Sequence, residues 1–271
     1  MAWLITTLCY GGKEGSADMT DEDENGTGIP LEDLRLTVVY DNNPHAEGLK
    51  TAWGFSCLVE GVEKLILFDT GGEAPILLAN MDSLSIKPED IDIVVLSHAH
   101  EDHTGGLWDI LAANPNVKVY MPQSFAANFK QRVTKAGAEA IDVKDPVEIC
   151  TNAYSVGELG GWIKEQSLVV RTDKGLVVIT GCAHPGIVPI VNEAREFLGD
   201  EMLLAMGGFH LMRAGGGDVK DVISDLKKSG VTYAGPCHCS GDGTRTMFEE
   251  EYGANYIDLG VGARLTGSNL K

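Results

Sequence analysis

An apolar run, Ile91-Asp92-Ile93-Val94-Val95-Leu96-Ser97, leads straight into His98-Ala99-His100-Glu101-Asp102-His103, which places four side chains that can ligate a cation or move a proton within six residues. If the run is a strand, His98 and His100 lie two apart on extended backbone and project to the same side. Asp102 and His103 then fall where the chain turns into the next helix and can face a second centre. Imidazoles mixed with a carboxylate at that density suit one or two borderline divalent ions, Zn²⁺ first and Mn²⁺ or Fe²⁺ behind it. The competing reading is a solvated polar loop, but four such groups directly after a buried strand oppose folding and return no packing.

Periodicity supplies the elements that must carry this cluster. Apolar β-rich runs at Leu34 to Tyr40, Phe55 to Glu60 and Lys64 to Phe68 read as three consecutive strands. Helical patterns follow near 73–82, 104–113, 124–136, 187–198, 218–229 and 243–252, with strands near 91–97, 117–121, 166–172, 175–180, 201–206 and 231–234. This is an α/β chain. Three strands in a row suit hairpins, so two mixed sheets with helices outside fit better than a purely alternating parallel sheet. No linker or repeat interrupts residues 1–271, which read as one domain. Residues 13–30, with Asp18, Asp21, Glu22, Asp23 and Glu24 among small polar residues, read as a mobile acidic loop. The apolar opening Met1 to Cys9 lacks the basic start of a signal peptide and is too short for a span, so it reads as a strand or tail.

With 21 Lys+Arg against 40 Asp+Glu the chain carries −19, which opposes binding to nucleic acid or to an anionic membrane and leaves small molecules as partners. Six cysteines in 271 residues are too few and too scattered for a disulfide scaffold and point to a reducing, cytoplasmic setting. The sequence is silent on oligomeric state.

His98-Ala99-His100-Glu101-Asp102-His103 resembles the HxHxDH signature of the metallo-β-lactamase superfamily, and Leu65-Ile66-Leu67-Phe68-Asp69-Thr70-Gly71-Gly72 resembles that family's upstream strand ending in aspartate. The resemblance spans roughly residues 34–265 and implies a four-layer αββα sandwich, two mixed β-sheets flanked by helices, with the site at one edge. It also implies that Asp69 orients a ligand histidine from behind; taken alone, Asp69 is equally a turn residue before Gly71-Gly72. Gly181-Cys182-Ala183-His184, Gly207-Gly208-Phe209-His210 and Pro236-Cys237-His238-Cys239 are similar to the dihydropteroate-synthase-like branch, whose members include metal-dependent hydrolases of phosphate esters and a pterin-linked synthase.

Each of His184, His210 and His238 follows an apolar β run and so sits at a strand end, where loops gather sites. With His98 and His100 as anchors, His184 and His238 read as ligands, while His210 stays open between ligand, substrate contact and structural residue. Two positions depart from the wider superfamily: Glu165-Gln166-Ser167 stands where a ligand histidine is usual, and Cys182 stands where an aspartate usually bridges two metals. His184 reads as the replacement histidine, and Cys182 as either a bridging thiolate or a small buried hydrophobe. Cys237 and Cys239 are spaced too closely for a structural zinc pair and read as buried or substrate-shaping. His45 reads as a loop residue, Gly215-Gly216-Gly217 as a flexible loop, and Asp242 or Thr244 as the cap of the helix that follows.

The resemblance therefore implies a dinuclear metal-dependent hydrolase of phosphate esters, small-molecule phosphodiesters foremost, attacking with a metal-activated water. His98, His100 and His184 would hold one ion, and Asp102, His103 and His238 the other, with Cys182 or a water between them. Asp102 would also orient the nucleophile, and His210 would touch the substrate. The alternatives are a transferase joining a pterin alcohol diphosphate to an aryl-amine ribotide, and a non-catalytic metal-binding sensor.

Overall fold

The computed structural model describes residues 28–270. Two sheets face each other, and strands are numbered in chain order. The first sheet carries β1 (Arg35–Tyr40), β2 (Ser56–Glu60), β3 (Ile66–Phe68), β4 (Ile93–Val95), β5 (Lys118–Pro122) and β6 (Glu139–Val143), with β13 (Arg264–Thr266) on its outer edge in the order β13-β1-β2-β3-β4-β5-β6. The second runs β12-β11-β10-β9-β8-β7, from β7 (Val147–Cys150), β8 (Ala153–Ser155), β9 (Leu168–Thr172), β10 (Gly175–Thr180), β11 (Met202–Gly208) and β12 (Tyr233–Cys237). Strands β3 to β6 are parallel, as are β10 to β12, while β1 to β3 and β7 to β10 pair antiparallel. Both sheets are thus mixed, as the three leading strands predict.

Alternation along each strand sorts the core into layers. In β4, Ile93 and Val95 point between the sheets while Val94 points out; in β10, Val177 and Ile179 point in and Leu176 and Val178 out. The outward residues of the first sheet are covered by Leu77 and Met81 of α1 (Ala74–Ser83), Ile110 and Leu111 of α3 (Leu107–Ala113) and Val133 of α4 (Ala127–Lys135). Ile190, Val191 and Ala194 of α5 (Ile187–Leu198), Ile223 and Leu226 of α6 (Gly216–Lys228) and Phe248 of α7 (Asp242–Tyr252) cover the second. Each such Val, Leu, Ile, Met or Phe side chain contributes about 1.5–3 kcal/mol when fully buried.

The stretch expected as one helix near 104–113 divides into α2 (Glu101–Thr104) and α3, and the break serves the site. Gly105 abuts the turn after β3 so closely that a Cβ there would meet Gly72 O at 2.1 Å, and its N–H donates to Gly71 O at 2.9 Å. That contact locks the His103 turn against the Asp69 turn. Strands β6, β7, β8 and β13 are additions to the sequence reading. Of the acidic segment 13–30 only residues 28–30 are described, and Ile29 there pairs with Thr172 instead of moving freely; the rest, like Met1 to Cys9, lies outside the described residues. Among those residues no helix is long and apolar enough to cross a membrane.

Candidate metal centre

The parallel strands end on one side of the molecule, and the chemistry gathers there. Asp69 follows β3, His98 to His103 follow β4, Cys182 and His184 follow β10, His210 follows β11 and His238 follows β12. Donor atoms of His98, His100 and His184 all lie within 4.8 Å of one another, and so do those of Asp102, His103, Cys182 and His238. This is the division into two groups expected from the sequence, with Cys182 placed in the second. The His98 and His103 rings, 4.3 Å apart, join the two sets. His98, His103 and His238 are buried, Asp102 and His184 are partly open, and His100 and His210 are exposed at the mouth.

Following each ring's Nδ1 shows where its free nitrogen points. Asp69 accepts from Ser97 N and Ser97 Oγ, both at 2.7 Å, so the Ser97 hydroxyl proton is committed and its oxygen accepts from His98 Nδ1 at 2.9 Å. Asp69 also accepts a hydrogen bond from His103 Nδ1 at 2.7 Å. Glu165 holds His184 Nδ1 at 2.8 Å, and Asn42 Oδ1 holds His238 Nδ1 at 2.8 Å while the Asn42 amide nitrogen donates to the His238 carbonyl. The assigned tautomers thus leave Nε2 of His98, His184 and His238 as a lone pair turned into the site, whereas His103 Nε2 lies 3.3 Å from Cys182 Sγ and 3.5 Å from Asp102 Oδ2. His98 Nε2 meets His100 Nδ1 at 3.0 Å, a separation at which two ring nitrogens need a proton or a cation between them. Buried His238 Nε2 has no hydrogen-bond partner although Asp102 Oδ2 stands 3.3 Å away.

Electrostatics separate the two sets. Burial opposes charge on His103, but the Asp69 carboxylate and hydrogen bonds to Asp102 and Asp69 outweigh it and push the imidazole up to about 10. Burial would raise Asp102; His103 beside it and the nearby His238 instead hold it well below the usual carboxylate range. His98 goes the other way, driven well below 6.5 by burial and then by the charge on His103, and His100 is lowered by burial and by His184. Four loop residues at these strand ends, Asp69, Ala183, His210 and His238, adopt left-handed backbone with φ between 46° and 56°.

Comparison with known proteins follows this geometry. Residues 54–248 match the model of the metallo-beta-lactamase superfamily. The chain belongs to that superfamily. A relative in Methanocaldococcus jannaschii, 7,8-dihydropterin-6-methyl-4-(beta-D-ribofuranosyl)-aminobenzene-5'-phosphate synthase, is 31% identical over 258 residues, covering 77% of this chain and 88% of its own. A crystallised metal-dependent hydrolase of the beta-lactamase superfamily superposes with a TM-score of 0.71 at 28% identity, over 86% of this chain and 98% of its own. The metallo-beta-lactamase fold protein YhfI from Bacillus subtilis superposes at 0.63 over the same shares with 16% identity, a likeness of fold. Members of the superfamily typically bind divalent metals, and the donor sets here fit that habit.

Against the superfamily pattern, the most informative departure is Glu165, which the sequence reading noted only as a missing histidine. Fully enclosed, it accepts from the N–H groups of Cys182, Ala183 and His184 at 2.8–2.9 Å and from His184 Nδ1. Those donors and the neighbouring His98 overcome burial and hold it down to about 2. A carboxylate thus shapes the loop that carries two donors. Asn42 was also missed, and Cys239 lies with Cys182 and His210 in a third donor group. The expected cap of α7 is not seen: Gly241 precedes the helix without a side-chain cap, Thr244 Oγ1 donates to Leu211 O, and Arg245 binds Asn43 and Asp258. His45 stands 3.8 Å from Asp258, among the loops packed on Gly260.

Proposed function

We propose that this protein hydrolyses phosphate esters, small-molecule phosphodiesters foremost, with two divalent ions, Zn²⁺ before Mn²⁺ or Fe²⁺. The reading rests on one observation: two donor sets meet at a wall of imidazoles turned into one site, with buried His238 Nε2 left without a hydrogen-bond partner. His98, His100 and His184 would hold one ion; Asp102, His103, His238 and Cys182 the other. Ions held there supply Lewis acidity toward a phosphoryl oxygen and acidify a water.

The chain's own groups do the rest. Asp69, Ser97, Glu165 and Asn42 fix ring orientation from behind, so no reorganisation is needed at the moment of reaction. Asp102, with Oδ2 3.5 Å from His103 Nε2 and partly open to solvent, accepts a hydrogen bond from the attacking water and aims it at phosphorus. At the mouth, exposed His210 packs 4.6 Å from the His184 ring and contacts the ester, and exposed Trp53 covers His238 at 4.8 Å. The −19 charge favours a small anionic ester over a nucleic acid, in a cytoplasmic setting.

Turnover of bis(p-nitrophenyl) phosphate by protein reconstituted with Zn²⁺ or Mn²⁺ tests this reading. A folded, metal-loaded protein that cleaves no phosphate, carboxylate or thiol ester would leave it a metal-binding sensor. The relationship to the archaeal synthase supports a second reading, condensation of a pterin alcohol diphosphate with an aryl-amine ribotide. Product analysis with and without the amine separates the two, since a transferase forms the new C–N bond only when the acceptor is present.

A further inference from the structure

We propose that Cys182, Cys239 and His210 form a third, two-sulfur, one-imidazole site for a soft d¹⁰ cation, with Cu(I) as its probe. Their donor atoms lie within 4.8 Å of one another, a spacing from which small rotations close onto one ion with bonds of roughly 2.0–2.3 Å. The two sulfurs are buried, Cys182 4% and Cys239 5% exposed, while the imidazole stands exposed at the mouth, so an ion can enter from one side into a largely dry seat.

Composition sets the preference. The first donor set holds three imidazoles and the second a carboxylate, two imidazoles and a thiol; this third group has no oxygen donor, and thiolates select Cu(I) over harder ions. Backbone geometry also makes room for it. Gly208, at the end of β11, lies so close that a Cβ there would meet Cys239 Sγ at 2.7 Å and Cys182 Cα at 3.2 Å. Just beyond, His210 and His238 take the left-handed backbone (φ 53° and 46°), turning the chain so that His210 joins the two cysteines across the loop from His184. Cys239 Sγ is 3.7 Å from the Cys182 carbonyl, which ties the two cysteine loops together.

The site meets the phosphoesterase reading at two residues: Cys182, which it shares with the second divalent set, and His210, which that reading places against the ester. A soft ion seated there takes the thiolate from Asp102, His103 and His238 and weakens their hold on a divalent ion.

The test titrates the full chain anaerobically with Cu(I) against a chromogenic Cu(I) chelator. The wild type is expected to retain one Cu(I) per chain, with thiolate-to-copper ultraviolet absorption, and to lose part of its second equivalent of Zn²⁺ as copper binds. Losing an outer partner of a metal site costs about 10–100-fold in affinity, so Cys239→Ser and His210→Asn, which remove ligands, should each cost about a hundredfold or more. Asn tolerates the positive φ at this exposed position, so His210→Asn reports ligation even if Cys239→Ser folds poorly. His100→Ala should bind Cu(I) as the wild type does. Copper uptake unchanged in His210→Asn, uptake abolished by His100→Ala, or no uptake by the wild type would each overturn the assignment. Diester turnover by the zinc-loaded wild type, measured separately, reports on the phosphoesterase reading alone.

Discussion

The two main donor sets are built from similar residues and behave differently. His98, His100 and His184 form a set of imidazoles, one exposed, backed by the Ser97 hydroxyl and Glu165. Asp102, His103, His238 and Cys182 form a more buried set that contains acids, backed by Asp69 and Asn42. In the first set burial keeps His98 and His100 neutral, so an ion finds lone pairs waiting; in the second, His103 carries a proton that must leave before the ion enters. Proximity alone does not define a metal site. The second set gains affinity from its anionic donors and makes that affinity depend on pH.

The hardest test of this contrast is Asp102→Asn. Under the phosphoesterase reading it is expected to lower kcat by about a hundredfold or more, equivalent to about 2.7 kcal/mol of transition-state stabilisation, with the fold intact. Near-normal kcat in a well-folded variant would remove Asp102 from the chemistry. Next comes Cys182. If its sulfur ligates, Cys182→Ser should remove the thiolate charge-transfer band of the Co²⁺-substituted protein and weaken one equivalent of metal, and Cys182→Asp should partly restore activity. Unchanged cobalt spectra in Cys182→Ser, together with a lower Tm for Cys182→Asp, would make the residue a packed hydrophobe.

Each outer carboxylate holds a ring of one set directly and touches the other only through backbone or Ser97, so each should act mainly on one set. Asp69→Asn is expected to cost about 10–100-fold in affinity at the second set and Glu165→Gln a similar factor at the first, read from stepwise metal titrations. Equal losses at both steps in either variant would show that the sets are not separable. The smallest effect, taken per pH unit, is with pH. Because the folded pKa of His103 is raised to about 10, its proton is bound at neutral pH and competes with the ion, so affinity at the second step should climb about tenfold per pH unit between 7 and 9. His98, lowered well below 6.5, leaves the first step much flatter. Two parallel pH profiles would contradict the assignment.

Much of this was legible in the sequence because strand ends are. Ile93 to Val95 and Leu176 to Thr180 are apolar enough to read as buried strands, and the histidines after them could only fall at the sheet's carboxyl edge. Strands such as Val147–Cys150 and Ala153–Ser155 escaped detection because they are short, partly polar and formed by pairing with neighbours instead of by a pattern of their own. Glu165 was invisible in its role for a related reason: its partners lie 17 to 19 residues away and three of them are backbone N–H groups, which leave no trace in residue type. Cys239 was set aside by a spacing rule that considers sequence neighbours, whereas its companions Cys182 and His210 arrive on other strands.

Left-handed backbone at Asp69, Ala183, His210 and His238 has a consequence for engineering. Each such non-glycine residue costs the fold about 1–2 kcal/mol, and all four lie where the donors gather. Ala183 contributes no donor, so Ala183→Gly relieves that cost against a glycine chain-entropy penalty of about 0.5–1 kcal/mol, for a net gain near or below about 1 kcal/mol. A slightly higher Tm with a looser Cys182–His184 loop is the expected trade. The sequence that folds most stably and the sequence that holds its loops ready for a cation are therefore different sequences, and this chain is the second of the two.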